Sequence, residues 1–254
     1  MTLVRDRENT CALCGQQSLF PTVVSMYSSE GDHKDLDLRP PKRNQWTIMA
    51  WVQRCPRCGH CAQAVDQPRP NAGQVITTLP YRCQLDKPEN PELTNSFLCQ
   101  AMIEEAGNEL AAACTSTLSA AWACDDAGRG DRATACRLAA LSLLDLAEAA
   151  GFTHAHPDTL TALRVDLLRR ANRLDEAKRL LAGWRPRGPD EITRRVLEYE
   201  KKLIRRGDLS AHEAGEALGL LPYREWSWSP RAPRPDRLRR CLEVLGRILW
   251  PWRN

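Results

Sequence analysis

The amino-acid sequence predicts an α+β fold that is mostly α-helical, with short strands near the N-terminus and paired helices after them. The pattern C-x-x-C-G occurs twice within the first 60 residues, among β-prone runs and polar loops. From Pro91 onward, apolar residues recur at helical spacing and similar turns separate successive helices. We therefore expect three regions, at residues 1–88, 91–222 and 223–254.

Composition places the chain among ordinary globular proteins. Of its 254 residues, 43% are hydrophobic and 27% are charged. The first residues are polar, and no apolar run approaches the roughly 18 residues of a membrane span, so we expect a cytoplasmic location. Basic residues exceed acidic ones by 8 to 3 at 223–254, whereas 91–222 carries 17 against 20. The central region is therefore not a nucleic-acid surface by charge.

The two C-x-x-C-G motifs predict one structural zinc ion held by Cys11, Cys14, Cys55 and Cys58. A tight turn with two intervening residues lets both thiolates of a pair reach one ion. The glycine that follows can adopt positive φ and turn its amide toward a sulfur. Two such turns, here called knuckles, form a zinc ribbon when strands bring them together.

Several residues leave alternatives open at this site. His60 and Cys61 follow the second knuckle and either is an alternative fourth ligand, while His33 lies in the loop between the knuckles. A catalytic zinc is disfavoured because such sites keep three protein ligands and a water, whereas four thiolates are available here. A redox role is disfavoured because no βαβ pattern surrounds either pair. The other metal-like cluster, His154 and His156, is expected in an exposed turn.

β-propensity predicts strands at residues 20–24, 46–53 and, more weakly, 74–82. Residues 28–44 are polar and charged and are expected to form a loop. Two prolines within residues 87–91 mark the boundary of the first region.

The helical region is predicted to contain helix–turn–helix pairs. The predicted helices start near Pro91 and then cover residues 109–124, 132–149, 157–170, 174–181, 191–205 and 210–218. Similar turns surround Asp131, Asp175 and Asp208, where an Asp, or Ser210 in the last turn, is expected to cap the following helix. The 33 residues from Asp175 to Asp208 match the tetratricopeptide (TPR) period of about 34, so TPR-like repeats are predicted; an irregular helical bundle is the alternative.

The remaining cysteines of the helical sequence are predicted to be small buried hydrophobic residues. They are Cys99, Cys114, Cys124, Cys136 and Cys241.

The sequence resembles the domain-of-unknown-function 2225 family in three stretches. They are CALCG, the Asp35-Leu36-Asp37-Leu38 stretch before WTIMAWVQRCPRCGH, and YEKKLIRRGD with the following His212. The resemblance covers most of residues 11–215. It implies a zinc ribbon joined to a TPR-like helical region, and no established activity. Family members often have an aromatic residue after the second knuckle glycine, where this chain has His60 and an extra Cys61.

The basic tail is predicted to contain a Pro/Trp-rich linker at 226–235 and an amphipathic helix at 238–252. The helix is expected to cap the last repeat; binding to a partner is the next alternative, and a membrane surface is disfavoured.

We expect a non-catalytic scaffold or adaptor whose helices bind an unknown protein or peptide. The chain has no phosphate-cradling glycine loop, no G-x-S-x-G and no H-E-x-x-H. Nucleic-acid binding through the ribbon and the tail is the alternative. Six residues are candidates for a carboxylate-binding patch: Arg169, Arg170, Asn172, Arg194, Lys201 and Lys202.

Overall fold

The computed structural model describes residues 1–29, 31–153, 157–185 and 190–220. The described chain is mostly helical with two small antiparallel sheets, as the sequence predicts. It divides into two compact units, and the division differs from the limits expected at residues 88 and 91. Unit 1 contains Met1–Tyr27 and Lys42–Phe152, and unit 2 contains Ser28–Pro41 and the chain from Thr153 onward.

Both sheets of unit 1 are two-stranded hairpins that end in cysteine knuckles. Strand β1 (Leu3–Thr10) pairs with β2 (Gln17–Ser25), and the first knuckle connects them. Strand β3 (Gln53–Arg54) pairs with β4 (Cys61–Ala62), and the second knuckle lies between them. The predicted strand at 20–24 is confirmed as part of β2.

The predicted strand at residues 46–53 is largely wrong, because a 3₁₀ helix, Lys42–Ala50, occupies most of it. Thr47 and Ile48 are buried, whereas Trp46 and Met49 are about half exposed, so residues three apart share the outer face. The Thr47 hydroxyl donates to the Asn44 carbonyl at 2.7 Å and stabilises the turn. Packing and local hydrogen bonds thus override the β-propensity of this run.

The predicted strand at 74–82 is also wrong, because short helices α1 (Ala72–Val75) and α2 (Leu79–Leu85) form there. Thr78 is the N-cap of α2 and its side chain accepts a hydrogen bond from the Tyr81 amide. Pro80 occupies the first turn, where its missing N–H costs nothing. This combination of a capping Thr and an early Pro was a helix signal in the sequence.

Three longer helices complete unit 1. They are α3 (Glu92–Ala106), α4 (Leu110–Asp126) and α5 (Gly130–Ala149). Their facing sides are rich in alanine and cysteine, and Cys99, Cys114, Cys124 and Cys136 are buried as predicted. Trp122 of α4 meets Trp51 edge to face, with ring centroids 6.4 Å apart, so the helices pack against the chain that leads to the second knuckle.

The described residues of unit 2 form four helices around an aliphatic core. They are α6 (Pro157–Arg170), α7 (Leu174–Gly183), α8 (Glu191–Arg206) and α9 (Ala214–Leu218). Side chains of α6, α7 and α8 form the core together with Leu36, which belongs to the segment between the knuckles.

The segment Ser28–Pro41, here called the strap, packs within unit 2 instead of forming an exposed loop. The Leu36 amide donates to the His212 carbonyl at 2.9 Å, and the Ala214 amide donates to the Lys34 carbonyl at 2.8 Å. Asp37 is fully buried and forms an ion pair with Arg170. The strap therefore supplies buried charge and backbone pairing to helices that are distant in sequence.

The turns that suggested repeats share a helix-ending geometry. After α4, α6 and α8, a residue with positive φ (Gly128, Asn172 or Gly207) is followed by an amide that bonds back across the last turn. The same motif ends α3 at Asn108, so it reflects helix termination and not only a repeat. The TPR-like repeat remains a prediction.

The expected capping by aspartate is wrong at these turns. Asp131 and Asp175 lie in the first turns of α5 and α7, whose N-caps are Arg129 and Arg173. The last described helix, α9, starts four residues later than Ser210, with a capping box formed by Glu213 and Glu216.

None of the helices in the described ranges is long and apolar enough to cross a membrane. The predicted linker and amphipathic helix of 223–254, Cys241 and the His154–His156 cluster lie outside the described residues.

Candidate metal centre

The structure brings together the four cysteines that the sequence predicts as zinc ligands. The ligand atoms of Cys11, Cys14, Cys55 and Cys58 all lie within 4.8 Å of one another, although 40 residues separate the two knuckles in the chain. Cys11 and Cys55 are buried, while Cys14 and Cys58 are partly exposed. No other group of this kind occurs in the part of the chain that the structure describes.

The spacing of the sulfur atoms fits a tetrahedral metal ion. Cys11 Sγ lies 3.7 Å from Cys58 Sγ, and Cys14 Sγ lies 3.6 Å from Cys55 Sγ. A zinc ion with bonds of about 2.3 Å to four sulfurs places them about 3.8 Å apart. A disulfide requires a bond of about 2.05 Å, and all four cysteines are free thiols. The donor set and its dimensions thus fit zinc.

The two knuckles have the same backbone hydrogen bonds. The amides of Gly15 and Gly59 donate to the carbonyls of Cys11 and Cys55, at 2.8 and 2.9 Å. The amides of Cys11 and Cys55 donate in turn to the residues that follow the glycines, at 2.9 and 2.8 Å. Both glycines have positive φ, 72° and 74°, as the tight turn requires.

The second knuckle is fixed more firmly than the first. The Tyr81 hydroxyl donates to the Gly59 carbonyl at 2.8 Å and accepts from the Cys61 amide at 3.1 Å. The Arg82 guanidinium donates to the Cys58 carbonyl at 3.0 Å. Helix α2, which the sequence did not predict, therefore holds this knuckle in position.

The pKa values of the two thiols of the second knuckle shift in opposite directions. Burial raises the pKa of Cys55, but the amides of Cys58 and Arg57 and the neighbouring thiols outweigh it and lower the value to about 7. Burial and the adjacent thiols raise the pKa of Cys58. A bound cation must displace the thiol protons, so metal binding at this site is coupled to proton release.

The two alternative ligands beside the second knuckle differ in position. The Cys61 thiol donates to the Gly59 carbonyl at 3.4 Å and lies outside the four-sulfur cluster. His60 is fully buried, and its Nδ1 lies 3.8 Å from Cys11 Sγ. His33, the other histidine near the knuckles in sequence, lies against Gly215 in unit 2.

Models of known families, curated proteins and solved structures give no match to this chain. The resemblance to the domain-of-unknown-function 2225 family therefore stays a prediction from the quoted stretches. Two of those stretches meet in unit 2, where the Leu36 amide bonds to the His212 carbonyl.

The structure removes two members from the expected carboxylate-binding patch. The Arg169 side chain is fully buried and bonded to Asp166 and Glu200, and Arg170 is paired with Asp37. Arg194 is exposed but pairs with Glu191 and Glu198 on its own helix. The sequence of α6 gives no sign that its last two arginines face buried carboxylates.

The exposed residues of α8 form a different basic surface. Four cations in its C-terminal half pair with no carboxylate in the described part of the chain: Lys201, Lys202, Arg205 and Arg206.

Proposed function

We propose that this protein is a non-catalytic scaffold in which one zinc ion stabilises unit 1 and helix α8 offers a basic surface to an acidic peptide or protein segment. The observation that supports the metal is the cluster of four sulfur atoms at tetrahedral spacing. It is built from two knuckles with the same backbone geometry.

A structural role for the metal follows from the donor set. Four thiolates complete the tetrahedral coordination of zinc and leave no position for water or substrate. Their combined negative charge also weakens the Lewis acidity on which hydrolysis depends. Zinc that joins residues 11–14 to residues 55–58 stabilises the fold because the unfolded chain lacks the assembled site.

The partner surface is proposed from charge and exposure. Lys201, Lys202, Arg205 and Arg206 are exposed on two adjacent turns of α8, and their charges are not neutralised by neighbouring side chains of the described chain. Acidic side chains at hydrogen-bond distance would satisfy these donors, and the attraction would weaken as salt increases.

Zinc content tests the first half of the proposal. The full chain, purified under reducing conditions without chelator, is expected to contain close to one zinc per chain by elemental mass spectrometry. Cys55→Ser and Cys58→Ser should lose the metal. Cys83→Ser is the matched control because this thiol is exposed and outside the cluster. A ratio near zero in the reduced wild type would refute the metal assignment.

Binding to an array of acidic peptides tests the second half. The wild-type chain should bind Asp/Glu-rich peptides at low salt, and the double variant Lys201→Glu/Lys202→Glu should not. The variant Lys178→Glu/Arg179→Glu, with the same charge change on exposed residues of α7, should bind normally. Absence of wild-type binding, or equal loss in both variants, would contradict the surface and leave the zinc result standing. Binding to single-stranded nucleic acid but to no peptide would favour the nucleic-acid alternative.

A further inference from the structure

The residue that follows the knuckle glycine differs in position between the two knuckles. In the first knuckle it is Gln16, which is partly exposed and whose side-chain amide donates to the Gln17 carbonyl at 2.7 Å. In the second it is His60, whose side chain is fully buried. The backbone carbonyls of both residues accept the same hydrogen bond from the first cysteine of their knuckle. The shared backbone therefore does not explain why His60 is inside.

The ring of His60 has one hydrogen-bond partner in the described structure. Its Nδ1 lies 3.8 Å from Cys11 Sγ, which is within reach of a hydrogen bond to sulfur, and its buried Nε2 has no partner. A buried polar side chain with a single partner gains its stability mainly from that partner. The contact with Cys11 is therefore what favours a histidine here.

The charge of the sulfur decides the direction of this hydrogen bond. A zinc-bound cysteine is a thiolate, which has no proton to donate and can only accept. A neutral imidazole carries one proton, on either Nδ1 or Nε2. Only the tautomer protonated on Nδ1 can donate to the Cys11 sulfur, and it leaves on the buried Nε2 a lone pair that accepts no hydrogen bond.

We propose that His60 is a positioning residue for the metal centre: its Nδ1–H donates a hydrogen bond to the Cys11 thiolate and stabilises the zinc-bound form. The proposal deepens the proposed zinc site and rests on it. Donors that surround a thiolate spread its charge and tighten metal binding, and loss of an outer partner typically weakens metal affinity about 10- to 100-fold.

Two substitutions of equal size separate the hydrogen bond from the volume of the ring. Asn has a side-chain amide near the position of Nδ1, whereas Leu has the same shape without a donor. Zinc affinity is measured on the full chain by competition with a chromophoric chelator. We expect His60→Leu to bind zinc roughly tenfold more weakly than wild type and His60→Asn to recover most of that loss. Equal affinity of the two variants would overturn the proposal.

The tautomer is measured directly in the wild type, so the test holds even if a variant does not fold. In the zinc-loaded protein, the ¹⁵N chemical shifts of His60 should show a protonated Nδ1 and an unprotonated Nε2. A proton on Nε2 would refute the hydrogen bond.

X-ray absorption of the zinc-loaded protein distinguishes a hydrogen-bond donor from a ligand. Four sulfurs at about 2.3 Å are expected. A nitrogen at about 2.0 Å would make His60 a ligand and overturn its role as a donor. That result would leave zinc binding itself intact, whereas a wild type that holds no zinc would remove both.

Discussion

The Nε atom of Arg169 lies 2.8 Å from a carboxylate oxygen of Glu200, and neither side chain is exposed to solvent. The same guanidinium contacts Asp166 at 2.5 Å and donates to the carbonyls of Asp208 and Ser210 at 2.7 and 2.9 Å. One side chain of α6 thus neutralises two buried acids and satisfies the chain that leaves α8. A residue that the sequence suggested for binding a partner instead holds unit 2 together.

Replacing Arg169 with Met should destabilise unit 2 strongly. The substitution leaves Asp166 and Glu200 buried without their cation, a change that typically costs about 3–5 kcal/mol. Hydrogen exchange of peptides from α6 and α8 measures the loss. Arg194→Met is the control because its ion pairs are on the surface, and it should leave exchange unchanged. Similar protection in both variants would contradict the role of Arg169.

Asp35 should make the stability of unit 2 depend on pH. Burial, assisted by the charge of Asp37, raises its pKa from 3.8 to about 7. A carboxyl group whose pKa is higher in the folded than in the unfolded state favours folding most when it is protonated in both, below the unfolded pKa. This contribution is lost as the pH rises through the folded pKa. The free energy of unfolding should therefore fall between about pH 4 and pH 7, by at most roughly 4 kcal/mol.

Asp35→Asn should reduce this fall, because the amide does not ionise, and the remaining fall is expected from Glu200, whose pKa burial raises to about 9. The measurement is urea unfolding at a series of pH values, with hydrogen exchange of peptides from unit 2 as the readout. Asp175→Asn, at an exposed site, should retain the wild-type profile. A profile that persists in Asp35→Asn would assign the pH dependence to another group.

The two knuckle glycines should tolerate alanine unequally. Both have positive φ, where a Cβ costs about 1–2 kcal/mol. At Gly15 an added Cβ meets nothing within 4 Å, whereas at Gly59 it lies 2.5 Å from a methyl carbon of the buried Leu85. Zinc affinity and thermal stability should fall more in Gly59→Ala than in Gly15→Ala. Equal effects would show that Leu85 moves aside without cost.

Cys61→Ala should leave the zinc content near one per chain. Its thiol bonds to the Gly59 carbonyl and lies outside the four-sulfur cluster. Elemental analysis provides the readout, and Cys58→Ser is the comparison that should lose zinc. Loss of zinc in Cys61→Ala with a normal circular dichroism spectrum would identify it as a ligand.

The four-cysteine cluster could be predicted because its information is local. Each knuckle is fixed by five adjacent residues, so Cys11, Cys14, Cys55 and Cys58 were identified without knowing what surrounds them. The helices of the second half were predicted for a similar reason, since apolar spacing and C-terminal glycine or asparagine are properties of short windows.

The errors occurred where distant residues decide the structure. Residues 46–53 have high β-propensity, but Trp51 packs against Trp122, and this tertiary contact is invisible to a local window. The charged residues of the strap are typical of an exposed loop. Asp37 is buried because Arg170, which is distant in sequence, neutralises its charge. Thr78 and Pro80 are local signals for the start of α2, but the β-branched residues before them led to the prediction of a strand.

The position of the strap has a consequence for the order in which the molecule is completed during translation. All four cysteines of the candidate metal centre lie within the first 58 residues. Arg170, which pairs with Asp37, follows Asp37 by 133 positions. The strap is therefore synthesised well before this partner, which is added only after unit 1 is complete and as α6 ends. The arginine then makes the charge of Asp37 part of an internal ion pair.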